Sequence, residues 1–348
     1  AQYNMSAAFK LDGTLDQQAF IATINTVIER HEILRTVYKE TNDKCEQVIR
    51  EHFDSAVTMI DFTHLQGNDL YDEIRALAEE DALKPFDLQN DTMLRVQLIK
   101  ASGSEHYVLF NMHHIASDGW SIGVLVKEFL EIYTAYSQGQ PNPLTDLDVQ
   151  YKDYAHWQRE WLQGDVFENE VGYWRDQLQD LPATHSLPLD RNRPAQQGFL
   201  GNSIRRELSA TLTANLEAYC REQGVTQFMA LQTIYALLVG QWSAEEDVVM
   251  GTPVAGRVHQ NVEPLIGFFL NNLVLRTDLS GDPSFNELIA SNKNTLLEAF
   301  EHQHLPFDAL VEDLNPERSS SHQPMFQLWF VLQNHDGGTF QLPGLEMS

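Results

Sequence analysis

The spacing of hydrophobic residues alternates along the chain between the period of a helix and that of a strand. In the first half, apolar side chains recur at helical spacing over 16–31 and 120–136, and another helix is predicted within 69–83. Two predicted strands, 93–99 and 107–114, lie between these helices and are joined by a Ser-Gly-Ser turn. The alternation predicts a mixed α/β (α+β) fold built from layers of helices and sheet.

The second half of the chain repeats this alternation. Helices are predicted over 211–223, 226–242 and 284–300, and strands or extended segments over 247–250, 265–277 and 325–333. The 325–333 run is apolar at successive positions, which is typical of a strand buried on both faces. A stretch rich in Gly, Pro and Asn at 138–143 indicates a loop between the halves. We therefore predict two lobes, residues 1–144 and 145–348, with one or two aromatic-rich helices over 151–174.

Composition excludes several classes of function. Hydrophobic residues make up 43% and charged residues 21% of the 348 residues, as in ordinary globular proteins. The net charge of −27 opposes binding to nucleic acid and to anionic membranes, and no apolar run approaches the roughly 20 residues of a membrane span. Two cysteines, Cys45 and Cys220, are too few for a disulfide framework. A reducing cytoplasmic location is the expectation.

The segment 112–121, Met-His-His-Ile-Ala-Ser-Asp-Gly-Trp-Ser, lies where a predicted strand ends and a helix begins. Adjacent residues of a strand point to opposite faces, so His113 and His114 are poorly placed to bind one metal ion together. The spacing of common zinc sites is also missing, and we predict no metal. A single His at a strand end is more often a core residue than a catalyst. Here one imidazole can face a cavity while the other supports it.

The residues after the two histidines add to this chemistry. Gly119 lets the backbone approach a ligand closely, and the free amides at the helix start near Trp120 suit an oxyanion formed when an amine or alcohol attacks a thioester. A neutral imidazole can accept a proton or hold the attacking amine. Ser117 lacks the Gly-x-Ser-x-Gly surroundings of a nucleophile. The pattern predicts direct acyl transfer without a covalent enzyme intermediate.

The His-His-x-x-x-Asp-Gly pattern at 113–119 resembles the signature of the condensation-domain superfamily, which includes chloramphenicol acetyltransferase. Five further segments resemble motifs of non-ribosomal peptide synthetase condensation domains, in the family's order. They are Arg-His-Glu-Ile-Leu-Arg-Thr at 30–36, Tyr-Lys-Asp-Tyr-Ala-His-Trp at 151–157, Ile-Gly-Phe-Phe-Leu-Asn-Asn at 266–272, His-Gln-His-Leu-Pro-Phe-Asp at 302–308 and Arg-Ser-Ser-Ser-His-Gln-Pro-Met at 318–325. Six ordered matches spanning nearly the whole chain are very specific.

This resemblance implies a fold and an activity. The fold would be two chloramphenicol acetyltransferase-like lobes in a V-shaped pseudo-dimer with a central tunnel. The activity would be peptide-bond formation in secondary metabolite biosynthesis, in which the amine of a carrier-bound acceptor attacks the thioester of a carrier-bound donor. The implied partners are donor and acceptor peptidyl carrier proteins and an adjacent adenylation domain. Phosphopantetheine arms of the carriers would deliver both substrates, and the domain itself would bind no cofactor.

The resemblance also implies roles for individual residues. His114 would act as the base or position the amine, His113 would support it, and Gly119 would place backbone near the oxyanion. Asp118 would form a structural ion pair, with Arg276 as the first candidate partner and Arg35 as the second. The other supporting residues would be Asn271 along the tunnel, Ser117 beside the histidines, and Trp157, which with Tyr151 would serve mainly in packing.

Some details of the sequence refine the comparison. Arg-His-Glu at 30–32 and Asp-Gly-Trp-Ser at 118–121 resemble the class that takes an L-donor and an L-acceptor. Asn272, His304 and Asp308 differ from the family's usual Thr, Asp and Glu, but none of these changes removes a catalytic group. The family's opening motif falls outside the chain, and intact members continue with closing elements after the last motif, so the resemblance implies trimming at both ends and an incomplete second lobe.

Two other functions stay open at this point. A condensation-like domain can serve as a non-catalytic docking platform that recruits another enzyme, but the intact His113–His114 pair argues against this. A stand-alone acyltransferase that uses coenzyme A is the other alternative. The synthetase-type motifs at 151–157 and 266–272 disfavour it.

Overall fold

The computed structural model describes residues 2–41, 44–198, 200–333 and 344–348. The chain divides into two compact units. The first comprises Ala1–Glu160, Arg257–Phe269 and Asp336–Ser348, and the second comprises Trp161–Gly256 and Leu270–His335. Helices and strands occur in both units, as the alternating pattern predicts. The segment 145–160, which was predicted to belong to the second lobe, groups with the first unit. The V-shaped arrangement and central tunnel stay predictions.

The strands and helices follow one another along the chain in mixed order. The strands are β1 (Asn4–Gly13), β2 (Thr36–Thr41), β3 (Lys44–Ile49), β4 (Val57–Asp61), β5 (Leu94–Lys100), β6 (Glu105–His113), β7 (Asp247–Val254), β8 (Asn271–Asp278) and β9 (Leu345–Met347). The helices are α1 (Gln17–Arg30), α2 (Gly67–Leu83), α3 (Gly119–Ser137), α4 (Tyr151–Trp161), α5 (Asp165–Gln177), α6 (Ala210–Gln223), α7 (Gln227–Ser243), α8 (Phe285–Glu301) and α9 (Phe307–Leu314). Within the described ranges, no helix combines the length and apolarity needed to cross a membrane.

The first unit is built on a five-stranded sheet in the order β4-β5-β6-β1-β9. Only β4 and β5 run parallel, and the register of β1 on β6 places Asn4 opposite His113. Helices α1 and α3 contribute to the core of this unit through Phe20, Ile24 and Leu125. Asp16 accepts a hydrogen bond from the Ala19 amide and so begins α1 where the sequence predicted. The sheet and the two helices form the scaffold that carries the histidine motif.

The second unit has an antiparallel pair, β7 and β8, packed with α7 and α8. A buried amide, Asn292, joins these elements by donating to Gln232 and to the Thr233 hydroxyl. Ser284 and Glu287 cap α8 reciprocally, in agreement with the helix predicted over 284–300. These bonds give the second unit a specific core of its own.

The strand predicted over 325–333 is wrong. This segment makes only an isolated bridge between Trp329 and Gly251 of β7. Met325 has a φ of 66°, which is incompatible with an extended strand, and the Trp329 side chain is 44% exposed rather than buried. The apolar run is explained by local ring packing, since the Phe326 ring lies directly over Gly251.

Substitution of Gly251 by Ala should destabilise the second unit, because the added methyl group would collide with the Phe326 ring. We expect a loss of about 1–3 kcal/mol in the free energy of unfolding, measured by urea denaturation. Gly123→Ala is the matched control, since Gly123 lies on an exposed position of α3 with open space around it. That variant should gain roughly 0.5–1 kcal/mol. Equal stability of the two variants would contradict the packing described here.

Candidate active site

The histidine motif spans the end of the central strand β6 and the start of α3. His113 is the last residue of β6, His114 opens a short 3₁₀ turn that ends at Ala116, and Gly119 is the first residue of α3. The change from strand to turn after His113 separates the two imidazoles. They therefore have different surroundings, as predicted from the sequence.

The His114 imidazole is held in one tautomer. Its Nδ1 lies 2.7 Å from the carbonyl oxygen of Ser117, and a carbonyl can only accept a hydrogen bond. Nδ1 therefore carries the proton in the neutral ring, which leaves a lone pair on Nε2. The edge of the ring meets Phe268, with centroids 5.1 Å apart. This half-buried imidazole is oriented to accept a hydrogen bond through Nε2.

The His113 imidazole is used for support. Its Nδ1 accepts a hydrogen bond from the Ile115 amide at 3.1 Å, and its ring lies against Tyr3 and Phe86. Burial lowers the pKa of His113 below its ordinary value, so the ring is neutral at physiological pH. The contacts of His113 thus fix the turn that carries His114.

Asp118 is the centre of a buried polar cluster. As the N-cap of α3, its Oδ1 accepts hydrogen bonds from the amide and the hydroxyl of Ser121, at 2.8 and 2.7 Å. Its Oδ2 accepts from the amide of Phe269 at 3.1 Å. The Arg257 guanidinium lies 3.2 Å from Oδ1, and both charged side chains are at most 3% exposed. The carboxylate therefore joins the helix start to the distant segment 257–269.

Both predicted partners of Asp118 are wrong, because Arg257 forms the ion pair. Arg276 lies in the second unit, where it pairs with Asp247 at 2.8 Å. Arg35 donates to the carbonyl oxygen of Arg50. Arg257 is separated from Asp118 by 139 positions, so local spacing gives no indication of this contact. It comes about because the chain returns to the first unit between β7 and β8.

Arg257 also organises the segment that it begins. Its Nη1 donates to the carbonyl oxygens of Val262 and Leu265 at 2.6 and 2.8 Å, and its guanidinium lies 4.0 Å from the centre of the Phe269 ring. Burial lowers the pKa of Arg257, while Asp118 opposes this shift. An arginine remains protonated under such conditions. The side chain therefore acts as a charged brace inside the first unit.

The residues after Leu265 are held by further bonds. The Ser121 hydroxyl, whose one hydrogen is donated to Asp118, accepts from the Gly267 amide at 3.1 Å. The Tyr151 hydroxyl donates to the carbonyl of Phe268. Any side chain at Gly267 would collide with the Tyr151 ring. This explains why the motif at 266–272 has a glycine there, and it fixes Phe268 beside His114.

A second buried charge cluster contacts the same segment. Glu128 of α3 binds His31 at 2.7 Å and Arg30 at 2.9 Å, and His31 accepts a hydrogen bond from the Ile266 amide. Burial raises the pKa of Glu128, but the bonds from His31 and Arg30 outweigh this effect. The pKa therefore lies below its ordinary value of 4.5. These roles were not predicted from the sequence, although Arg30 and His31 stand in the motif at 30–36.

Three further residues predicted for the site, Ser117, Gly119 and Trp157, lie in the first unit. The Ser117 side chain is fully buried and lies 3.4 Å from the Asp118 carbonyl oxygen, which suits support and not nucleophilic attack. Gly119 is exposed at the first position of α3, at the positive end of the helix. The Trp157 ring packs against His259 and Tyr154 in the first unit.

Asn271 lies in the second unit at the start of β8. Its amide group donates to the carbonyl oxygens of Gln303 and Leu305, and its Oδ1 accepts from the Phe307 amide. These three bonds anchor the turn that begins α9. The structure thus gives Asn271 a scaffolding role, and its predicted place along the tunnel stays a prediction. Over the described residues, no three His, Cys, Asp or Glu side chains are grouped so that they could bind a metal ion.

A family model described as "Condensation domain" matches residues 1–346. The chain belongs to the condensation-domain family. One of the linear gramicidin synthase proteins of Brevibacillus parabrevis is 43% identical over 331 residues, 95% of this chain and 6% of the relative. Malpibaldin synthetase of Mortierella alpina is 38% identical over 346 residues, 99% of this chain and 6% of the relative. The chain thus spans a small fraction of the curated synthetases that it matches.

Solved structures agree with this assignment. The X-domain from teicoplanin biosynthesis matches with 29% identity and a TM-score of 0.89, over 99% of this chain and 77% of that one. The first condensation domain of the calcium-dependent antibiotic synthetase, in complex with a substrate analogue, matches with 18% identity and a TM-score of 0.78, over 99% of this chain and 79% of that one. The chloramphenicol acetyltransferase-like fold expected from the sequence is confirmed. As a condensation domain, the chain is an acyltransferase of the class that forms amide bonds.

Replacement of Arg257 by Met should destabilise the first unit strongly, because it leaves the Asp118 carboxylate buried without its cation. We expect a loss of about 3–5 kcal/mol in the free energy of unfolding, measured by urea denaturation. Adding Asp118→Asn to this variant should cost less than the sum of the two single changes. The surface pair of Arg175 and Asp313 supplies the control, and Arg175→Met should change stability little. Additive losses at Asp118 and Arg257 would contradict their direct coupling.

The depressed pKa of Glu128 predicts a specific acid sensitivity. A carboxylate with a folded-state pKa below 4.5 stabilises the protein at neutral pH, and this stabilisation is lost as the pH falls below 4.5 through the folded-state value. The parent should therefore be more stable than Glu128→Gln at pH 7, and the difference should shrink below pH 4.5. Urea denaturation at several pH values measures it. A difference that stays constant or grows on acidification would contradict the ionised state of Glu128.

Proposed function

We propose that this domain joins two carrier-tethered aminoacyl groups. The amine nitrogen of the acceptor attacks the carbonyl carbon of the donor thioester, a C–N bond forms, and the C–S bond breaks. The donor arm leaves as a thiol with the proton lost by the amine. The observation that carries this proposal is the His114 ring, whose Nδ1 is bound to the Ser117 carbonyl so that Nε2 can receive an amine proton.

His114 would contribute in one of two ways. Its Nε2 can take the proton as the amine attacks, or it can accept a hydrogen bond and so orient the nitrogen lone pair toward the thioester. An α-amine with a pKa of about 8 has a useful neutral fraction at physiological pH, so orientation alone can suffice. Gly119, at the positive end of α3, would place backbone amide near the developing oxyanion.

The partners of the reaction follow from the family context. We propose donor and acceptor peptidyl carrier proteins whose phosphopantetheine arms bring the substrates to His114, with an adenylation domain nearby in the same synthetase. Two observations support this setting. The curated relatives are synthetases many times longer than this chain, and a four-domain synthetase bound to AMP and glycine shares the fold at 23% identity and a TM-score of 0.84. We further propose the L-donor/L-acceptor class, on the motif residues at 30–32 and 118–121.

A docking platform is the second candidate function. The likeness to the X-domain supports it, because one matched structure is the complex of that domain with OxyB from teicoplanin biosynthesis, at 29% identity and a TM-score of 0.89. The arrangement around His114 favours catalysis instead. A platform has no need of an imidazole fixed in one tautomer with a free acceptor nitrogen.

The proposal predicts that His114→Ala abolishes most of the condensation activity. The assay is a single turnover with aminoacyl-loaded donor and acceptor carrier proteins, with dipeptidyl-carrier measured by mass spectrometry. We expect the rate to fall about 10²–10⁴-fold, the range for loss of a general base or acid. Ser117→Ala should retain the parental rate within a few-fold, because its hydroxyl is buried and takes no part in the reaction.

Circular dichroism of each variant serves as the folding control. A folded His114→Ala protein with the parental rate would contradict a catalytic role for His114. Loss of activity in Ser117→Ala, together with an acyl-enzyme that forms in the parent and not in this variant, would indicate a covalent mechanism instead. Absence of product from the folded parent, across several loaded amino acids, combined with binding of a second enzyme, would favour the docking platform.

A further inference from the structure

We infer that His31 is a positioning residue for the active site, held in its working tautomer by Glu128 and Arg30. Through the Ile266 amide it would set the position of Phe268 and thereby that of the His114 ring. This inference rests on the proposed role of His114 and deepens it. It assigns a function to a fully buried titratable side chain that the reaction itself does not use.

His31 lies at the junction of three parts of the first unit. It is the C-cap residue of α1, and its side chain has no exposure to solvent. Its Nδ1 lies 3.3 Å from the Ile266 amide nitrogen, and its Nε2 lies 2.7 Å from Glu128 of α3. One imidazole thus connects α1, α3 and the segment 257–269.

These two bonds select a single tautomer. An amide N–H can only donate, so Nδ1 of His31 must accept from Ile266. The Glu128 carboxylate, ionised because its pKa is depressed, can only accept, so Nε2 must carry the proton. Arg30 donates to the other carboxylate oxygen at 2.9 Å and keeps Glu128 charged. His31 is therefore protonated on Nε2, whereas His114 is protonated on Nδ1.

A short covalent path leads from this bond to the active site. Ile266 is followed by Gly267, whose amide donates to the Ser121 hydroxyl, and then by Phe268, whose ring meets the His114 edge. Loss of the acceptor for the Ile266 amide would leave a buried N–H unpaired, at a cost that favours movement of the segment. Movement of Phe268 changes the wall against which His114 is packed.

The first unit contains another buried ion pair that can serve as a matched control. Asp81 binds Arg95 at 2.7 Å, and the exposed fractions of the two side chains, 4% and 17%, resemble those of Glu128 and Arg30, 8% and 12%. The bonds of Asp81 join α2 to β5 and β6. Asp81→Asn should therefore reduce the stability of the first unit, as a substitution of His31 does, without disturbing the segment 257–269.

The test compares two substitutions of His31 in the condensation assay. Asn places an acceptor oxygen where Nδ1 was and can still bind the Ile266 amide, whereas Gln reaches toward Glu128 and leaves the amide without its acceptor. We expect His31→Gln to lower kcat about 10–100-fold with little change in KM, because displacement of the catalytic group by about 1 Å costs on that order. His31→Asn and Asp81→Asn should keep kcat within a few-fold of the parent.

The outcomes separate this inference from the proposed function. Parental kcat in a folded His31→Gln protein, or an equal loss of kcat in His31→Asn or Asp81→Asn, would overturn it while leaving the role of His114 intact. Nitrogen NMR of ¹⁵N-histidine-labelled parent protein tests it without substitution or activity. A proton on Nε2 of His31 is required, and a proton on Nδ1 or on both nitrogens would overturn the inference. If the parent makes no product, the proposed function fails. The position of the proton on the His31 ring then still tests the inference about His31.

Discussion

The buried ion pair between Asp118 and Arg257 is the constraint on which the site depends. Asp118 caps α3 and simultaneously binds the Phe269 amide, so the start of the helix and the segment 257–269 cannot move independently. Arg257 neutralises the carboxylate and also binds the carbonyl oxygens of Val262 and Leu265. A buried charge requires an opposite charge and hydrogen bonds to offset the loss of its hydration. In the proposed mechanism the motif aspartate is therefore a structural partner of the His114 imidazole and does not react.

His114 and His31 are fixed in opposite tautomers, the first by a neutral carbonyl oxygen and the second by a charged carboxylate. The Ser117 carbonyl accepts a hydrogen bond from Nδ1 of His114, while Glu128 accepts one from Nε2 of His31. The first arrangement presents an acceptor nitrogen to a substrate, and the second provides one to the backbone at Ile266. In each case the position of one hydrogen-bond acceptor determines what the imidazole can do. The proposed catalysis and the proposed positioning thus follow from the same chemical rule.

Much of the fold could be predicted from local pattern, and the failures have a common cause. Helix α1 begins at the predicted cap, Asp16, and the motif falls at the predicted junction of strand and helix. An arginine partner for Asp118 was also predictable, from the resemblance to the family. The choice of Arg257 was not, since it depends on the path of the chain between β7 and β8. A contact between segments that are far apart in the chain leaves no periodic pattern of hydrophobic residues in the sequence.

The strand predicted over 325–333 failed for a related reason. The Phe326 ring packs over Gly251, Trp329 is exposed, and a positive φ at Met325 breaks the extended backbone at the start of the segment. Strand β1 was missed because its middle residues, Ser6, Ala7 and Ala8, are small and have weak strand preference. Its pairing with β6 supplies the order that the local sequence lacks. Tertiary contacts outweighed local preference in both segments.

The most direct test of this account is the response of the His114 nitrogens to an acceptor substrate. In ¹⁵N-histidine-labelled protein, the free domain should show the His114 proton on Nδ1 and an unprotonated Nε2. Addition of aminoacyl-loaded acceptor carrier should shift the Nε2 resonance as it accepts a hydrogen bond from the amine, and unloaded carrier should leave it unchanged. A proton on Nε2 in the free domain, or an Nε2 resonance that ignores the loaded acceptor, would contradict the central role given to His114.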